Sequence, residues 1–177
     1  VQDTTAPIAT AQDITVQLDA SGNASITGAQ LDNGSTDNCG SLTFSVDITS
    51  FDCTNIGANT VVFTAQDDCG LSSTASATVT VEDNVNPTAI AQDITVQLDA
   101  TGAASITGAQ VDNGSNDACG IQTTTVAPDS FNCSNVGANT VTITVTDNNN
   151  NVSTATATVT IEDNVAPTAI CQDLTVQ

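Results

Sequence analysis

The chain has 177 residues and carries 20 acidic side chains against no Lys, Arg or His, a formal net charge of −20 at pH 7. Without cations it can make no internal side-chain salt bridges and can neutralise no phosphates, so nucleic acid and anionic membrane surfaces are excluded as partners. No apolar run is long enough to span a bilayer, which excludes membrane insertion in this segment.

The elements read as β-strands from the start. Ile14, Val16 and Leu18 alternate with Thr15 and Gln17, the period of a half-buried strand. A turn follows at Asp19–Asn23, and a second at Asp32-Asn33-Gly34-Ser35. After the turn at Asn55–Asn59, Val61, Phe63 and Ala65 alternate with polar residues, and so do Ala75, Ala77, Val79 and Val81. Residues 81–160 then repeat 1–80 without a gap. AQDITVQLDA recurs at 11–20 and 91–100, DNGS at 32–35 and 112–115, and GANT at 57–60 and 137–140. A third copy begins at Ile161. The expected organisation is a linker at 1–6, repeats at 7–84 and 85–164, and the first strand of a third, truncated repeat at 165–177. No segment shows helical periodicity. Short strands at this spacing predict an all-β fold, with tandem seven-stranded, immunoglobulin-like β-sandwich domains.

The apolar payload is small. Phe44, Phe51, Phe63 and Phe131 are the only aromatic residues. Domains of this size with thin cores need staples, of which cystines and metal ions are the usual ones. Cys39 and Cys53 lie in the first repeat, and Cys119 and Cys133 take the same places in the second. The most economical pairing is Cys39–Cys53 and Cys119–Cys133, each closing a short loop worth about 3 kcal/mol. That pairing implies an oxidising, extracellular setting. The rival reading is free thiols or a thiolate metal site. Cys69 and Cys171 are left over, and an inter-chain bond through Cys69 stays open.

AQDITVQLDASGNASI, DNGSTDNCG, FDCTNIGANTV and VEDNVNPTA together resemble hyalin-repeat (HYR-type) and related immunoglobulin-like modules of giant bacterial surface adhesins. The resemblance covers the whole chain. It implies an extracellular, cell-surface, array-forming stalk without catalysis. Relatives of this pattern often join their first and last strands by a second cystine. Here those slots hold Ala11 with Ala75 and Ala91 with Ala155, while Cys171 occupies the first-strand slot of the third copy.

All the acids except Glu82 and Glu162 are Asp, a turn former and a hard-cation ligand. In a seven-stranded sandwich whose first strand runs from top to bottom, the second-to-third-strand loop and the last hairpin lie at the top. For repeat two this gathers Asp112, Asn113, Asp117 and Asp147 near the incoming linker Glu82-Asp83-Asn84. The equivalent set of repeat one is Asp3, Asp32, Asp37 and Asp67, with Asp68 as an added candidate. Glu162 and Asp163 begin the next such junction. Calcium takes six to eight oxygens of this kind, and the E-D-N-x-x-P linker also looks like the calcium-binding linkers of cadherin-type arrays. Calcium is therefore the expected cofactor. The competing reading is that these residues only form turns. Asp19 and Asp99 are expected to be turn formers, and Asp13 and Asp93 to be solvated. Pro87 and Pro167 stiffen the segments after the linkers, which with bound ions would give an extended rod.

Catalysis is not expected. Nucleophilic chemistry needs a base beside Ser or Cys, and the chain has no His or Lys. A glycosidase-like carboxylate pair would lack Trp or Tyr platforms. The expected function is an extracellular structural stalk or filament whose partners are the adjacent repeats of the same chain. The alternative is an adhesion module that takes a glycan or another surface ligand. Lateral self-association into fibres is a further expectation.

Overall fold

The computed structural model describes residues 3–38 and 40–172. The chain forms two compact units. The first runs to Asn86 and includes Ala118–Gly120, and the second comprises Pro87–Asp117 and the chain from Ile121 onward.

The first unit contains β1 (Ile14–Gln17), β2 (Asn23–Ser25), α1 (Gly28–Leu31), β3 (Leu42–Val46), β4 (Ser50–Asp52), β5 (Gly57–Asp67) and β6 (Ser72–Glu82). The second repeats them as β7 (Ile94–Gln97), β8 (Ala103–Ser105), α2 (Gly108–Val111), β9 (Ile121–Ala127), β10 (Ser130–Asn132), β11 (Gly137–Asp147) and β12 (Val152–Glu162). A four-stranded sheet in the order β1-β6-β5-β3 faces a two-stranded sheet of β2 and β4, and the second unit has the same two sheets. The β1–β6 and β7–β12 pairs are parallel and the other pairs are antiparallel. Each unit is thus an immunoglobulin-like β-sandwich.

The chain ahead of β1 belongs to neither sheet by itself. Ile8 and Ala11 bridge to Thr36 and Asp32 before the chain moves across to β6. At the crossing, Asp13 Oδ1 accepts the Thr78 amide at 2.6 Å, and Asp93 does the same for Thr158 at 2.7 Å. These carboxylates occupy a backbone donor next to the parallel pairing and are not merely solvated as expected.

Six strands form per unit among the described residues, where seven were expected. The chain leaves β3 at Asp47, whose amide and carboxylate engage the carbonyl and amide of Val62. It then enters β4 within three residues, which leaves no room for a strand between them. The single-turn helices were also not expected. Their local signal is the Thr27-x-x-Gln30 capping pattern, in which Gln30 Oε1 accepts the Thr27 amide at 2.7 Å. A Cβ on Gly28 would lie 2.5 Å from the Phe44 carbonyl carbon, so only glycine lets α1 approach β3 this closely.

The strand faces follow the period-two pattern. Val61, Phe63 and Ala65 of β5 face Ala77, Val79 and Val81 of β6 within one buried cluster, with Leu31 and Phe51 closing it. Phe44 packs on Phe63 with ring centroids 5.5 Å apart. Val141, Ile143 and Val145 are the buried counterparts on β11. Each such side chain contributes about 1.5–3 kcal/mol of burial. The repeated GANT motif has a specific task. Asn59 Nδ2 donates to the carbonyls of Asn55 at 2.7 Å and Gly57 at 3.0 Å, holding the 3₁₀ turn Cys53–Asn55 against the start of β5.

Cys53 is bonded to Cys119. This overturns both expected pairings. Cys133 is a free, exposed thiol, and Cys39 lies outside the described residues. The reason is distance along a strand. In each repeat the two cysteines flank an extended run. The seven residues of β9 alone span roughly 23 Å, whereas bridged cysteines need Cα atoms within about 7 Å. Cys53 and Cys119 have Cα atoms 5.2 Å apart. Their separation of 66 residues is closed by a bond worth about 4 kcal/mol by the chain-entropy argument. Cys69 and Cys171 are free and exposed.

Candidate metal centre

In the first unit β5 ends at Asp67, where the chain must reverse into β6. The hairpin is built around that residue. Its amide donates to the Leu71 carbonyl at 3.0 Å, and its Oδ1 accepts the amides of Cys69 and Leu71, each at 2.8 Å. Asp67 is only 5% exposed, and its second oxygen, Oδ2, is buried without a hydrogen-bond partner. Asp3 has the same division of labour. Its Oδ1 accepts the Thr5 amide at 3.0 Å, and its Oδ2 is buried and unpartnered.

Asp37, from the loop between α1 and β3, completes the group. Carboxylate oxygens of Asp3, Asp37 and Asp67 lie within 4.8 Å of one another. Ligand oxygens around one calcium ion at 2.3–2.6 Å are at most about 5 Å apart, so this spacing suits a shared ion. Leaving a buried charged oxygen unpaired costs at least about 1–3 kcal/mol. No Lys, Arg or His exists in the chain to pair with it.

The remaining expected ligands of repeat one stand elsewhere. Asp32 Oδ1 accepts the Ser35 amide at 2.9 Å in an Asx turn, and the Ser35 hydroxyl and amide hold its carboxyl below the usual carboxylate value. Asp68 binds the Ser41 amide and hydroxyl at 3.0 Å, which lowers its pKa in the same way and ties the β5–β6 hairpin to the start of β3.

In the linker, Glu82 Oε2 accepts Gln17 Nε2 at 2.7 Å, and Asn84 Nδ2 donates to Gln17 Oε1 at 2.7 Å. Gln97 makes the same two bonds to Glu162 and Asn164. Gln17 and Gln97 were not singled out from the sequence; their signal is their place in the repeated ITVQ run. Asp83 is buried and Asp163 exposed, and each accepts the amide two residues on at 3.0 Å. Asp19 and Asp99 are turn formers, as expected from the sequence.

In the second unit Asp112 repeats the Asx turn of Asp32, accepting the Ser115 amide at 3.1 Å, and Asn113 donates its amide to the Ile90 carbonyl. Asp117 is half-buried. Asp147 takes the place of Asp67 and is fully buried, but it is satisfied differently. Its Oδ1 accepts the amides of Asn149 and Asn151, and its Oδ2 accepts Asn151 Nδ2 at 2.9 Å. Position 71 in the first repeat is Leu, whose side chain has no donor to offer Asp67 Oδ2. One substitution between the repeats therefore leaves one buried carboxylate oxygen occupied and the other open.

No family model matches the sequence, and no curated protein does. Among solved structures, human protocadherin-24 EC1-2 is similar at 11% identity and TM-score 0.45 over 90% of this chain and 100% of that one. Human mucin-like protocadherin EC1-2 matches at 15% identity and TM-score 0.41, over 86% and 96%. Drosophila N-cadherin EC1-4 matches at 16% and TM-score 0.42, over 89% of this chain and 50% of that one. These are weak likenesses of fold alone.

Proposed function

We propose that this protein is an extracellular structural segment, a stalk of tandem sandwich repeats on a cell surface, stabilised by calcium. The observation that carries the calcium reading is the buried, unpartnered Oδ2 of Asp67 beside two further carboxylates in a chain without a single basic side chain. A hard divalent cation is the group that satisfies such a cluster. Three carboxylates supply three to six oxygens, and water or backbone carbonyls complete the shell. Asp3, Asp37 and Asp67 would hold the ion in repeat one. The 80-residue offset carries the same residue types to Asp83, Asp117 and Asp147, and Glu82, Asn84, Glu162 and Asp163 belong to the same linker pattern.

The stalk reading has its own support. Many of the acidic side chains are spent on backbone turns and strand crossings. The repeats are near-copies, as a part serving by length requires. The calcium reading is tested by isothermal titration of calcium into the EDTA-stripped protein. Binding at about 10⁻⁴–10⁻³ M is expected, with a site lost in Asp67→Asn. Absence of any calcium heat, or an isotherm unchanged by that substitution, would discard it.

A further inference from the structure

We propose that the fourth residue past the aspartate that ends β5 and β11 sets how strongly each hairpin depends on calcium. That residue is Leu71 in the first repeat and Asn151 in the second. Leu71 leaves the first hairpin in need of the ion, and Asn151 supplies the second with a substitute from the chain itself. The inference rests on the calcium reading above and names the side chain that tunes it.

The two hairpins share one backbone. The Asp67 amide donates to the Leu71 carbonyl at 3.0 Å, and the Asp147 amide to the Asn151 carbonyl at 3.1 Å. The Gly70 amide donates back to the Asp67 carbonyl at 3.2 Å, and the Asn150 amide to the Asp147 carbonyl at 3.3 Å. The third residue past the aspartate is left-handed in both, with φ of 87° at Gly70 and 71° at Asn150. Each aspartate accepts the amides two and four residues on through Oδ1, at 2.8 Å in every case. What differs is the partner of Oδ2. Asp147 Oδ2 accepts Asn151 Nδ2 at 2.9 Å, whereas Asp67 Oδ2 is buried with no hydrogen-bond partner. Leu71 and Asn151 are both half-buried, so an amide side chain at position 71 would be held against the same oxygen.

An amide NH₂ and a calcium ion compete for that oxygen. An ion that claims Asp147 Oδ2 must first displace a hydrogen bond to a charged group, which weakens binding by about 10- to 100-fold. An ion that claims Asp67 Oδ2 displaces nothing and neutralises a buried charge that no Lys, Arg or His can reach. The oxygen left unpartnered in the second hairpin is Asn149 Oδ1. It is a neutral carbonyl, and calcium affinity is tuned by the charge of the ligands. The first hairpin therefore loads at lower calcium and is the weaker of the two without it. The second keeps its carboxylate satisfied at any calcium level.

The hairpins also differ at positions 68–70 against 148–150, so single exchanges isolate the fourth position better than the wild-type comparison does. The test is a calcium chloride titration of the isotope-labelled, EDTA-stripped full chain, followed by NMR at the backbone amides of Cys69, Asn149 and their neighbours. In the wild type the Cys69 amide should shift with a midpoint of about 10⁻⁴–10⁻³ M. Leu71→Asn should raise that midpoint by about 10- to 100-fold, while the amides of the second unit keep their positions and so report an intact fold. Asn151→Leu should do the converse: the Asn149 amide comes to respond at lower calcium, and the second unit melts at lower temperature in EDTA. A Cys69 midpoint unchanged by Leu71→Asn overturns the proposal and leaves the calcium reading standing. An Asn151→Leu chain with neither a new calcium response at Asn149 nor a lower melting temperature in EDTA overturns it as well. A wild-type first hairpin indifferent to calcium defeats the calcium reading and this inference with it.

Discussion

Replacing Asp67 by Asn should invert the sign of its effect when calcium is added. In EDTA the wild-type cluster holds three carboxylates with oxygens within 4.8 Å of one another. Two like charges at that distance repel by roughly 3 kcal/mol at an effective dielectric of about 20. Asn retains an Oδ1 acceptor for the amides of Cys69 and Leu71 and places an NH₂ donor where the unpartnered oxygen stood. In EDTA the variant should therefore be more stable, by about 1–3 kcal/mol once solvent screening is allowed for. In about 10 mM calcium the wild type gains RT ln(1 + [Ca]/Kd). For Kd of 10⁻⁴–10⁻³ M that is about 1.4–2.7 kcal/mol. A unit of about 80 residues shifts its midpoint by about 4–8 °C per kcal/mol. Calcium should thus raise the wild-type midpoint by roughly 6–20 °C and leave that of the variant nearly unmoved. Scanning calorimetry suits a chain without Trp or Tyr. If Asn at position 67 lowers the midpoint in EDTA as much as in calcium, the carboxylate is a plain hairpin residue and the metal argument fails.

Further expectations concern the staples and turns. Cys53→Ser should cost about 4 kcal/mol in denaturant unfolding, from the 66-residue closure it releases; a loss below about 1 kcal/mol would show that the bond does not constrain the unfolded chain. Asp13→Ala strands the Thr78 amide beside the parallel pairing and should cost about 1 kcal/mol, with Asp93→Ala matching it in the second unit. Asn59→Ala leaves the carbonyls of Asn55 and Gly57 without their shared donor, and a destabilisation of about 1–2 kcal/mol by urea melts is expected. Asp68 has a folded pKa below its ordinary value of 3.8, first through the Ser41 amide and then the Ser41 hydroxyl. Its contribution is therefore complete above the unfolded value and is lost as pH falls through the folded one. Asp68→Asn should accordingly lose less stability than the wild type on acidification below about pH 4 in EDTA; parallel curves would remove Asp68 from the account.

The amino-acid sequence by itself determined the repeat, the strands and the faces they bury. A period of two assigns every second residue of β5 and β6 to the core, and 80 residues of matching motifs place the same pattern in both units. The Asx-type roles of Asp19 and Asp99 were legible as well, because a side chain that bonds an amide two to four residues on needs only local sequence. What the tertiary structure decided is everything that depends on which ends of strands meet. Cys53 and Cys39 are close in the chain, yet Cys53 bonds Cys119, because an extended strand carries neighbours in sequence far apart in space. Asp32 and Asp37 sit in one loop, yet Asp37 joins Asp3 and Asp67 while Asp32 turns back to Ser35. Leu71 and Asn151 look like an ordinary difference between repeats until the hairpin folds and one of them reaches a buried carboxylate. Local hydrogen bonding can be read from order along the chain, whereas long-range pairing of like residues is settled by geometry.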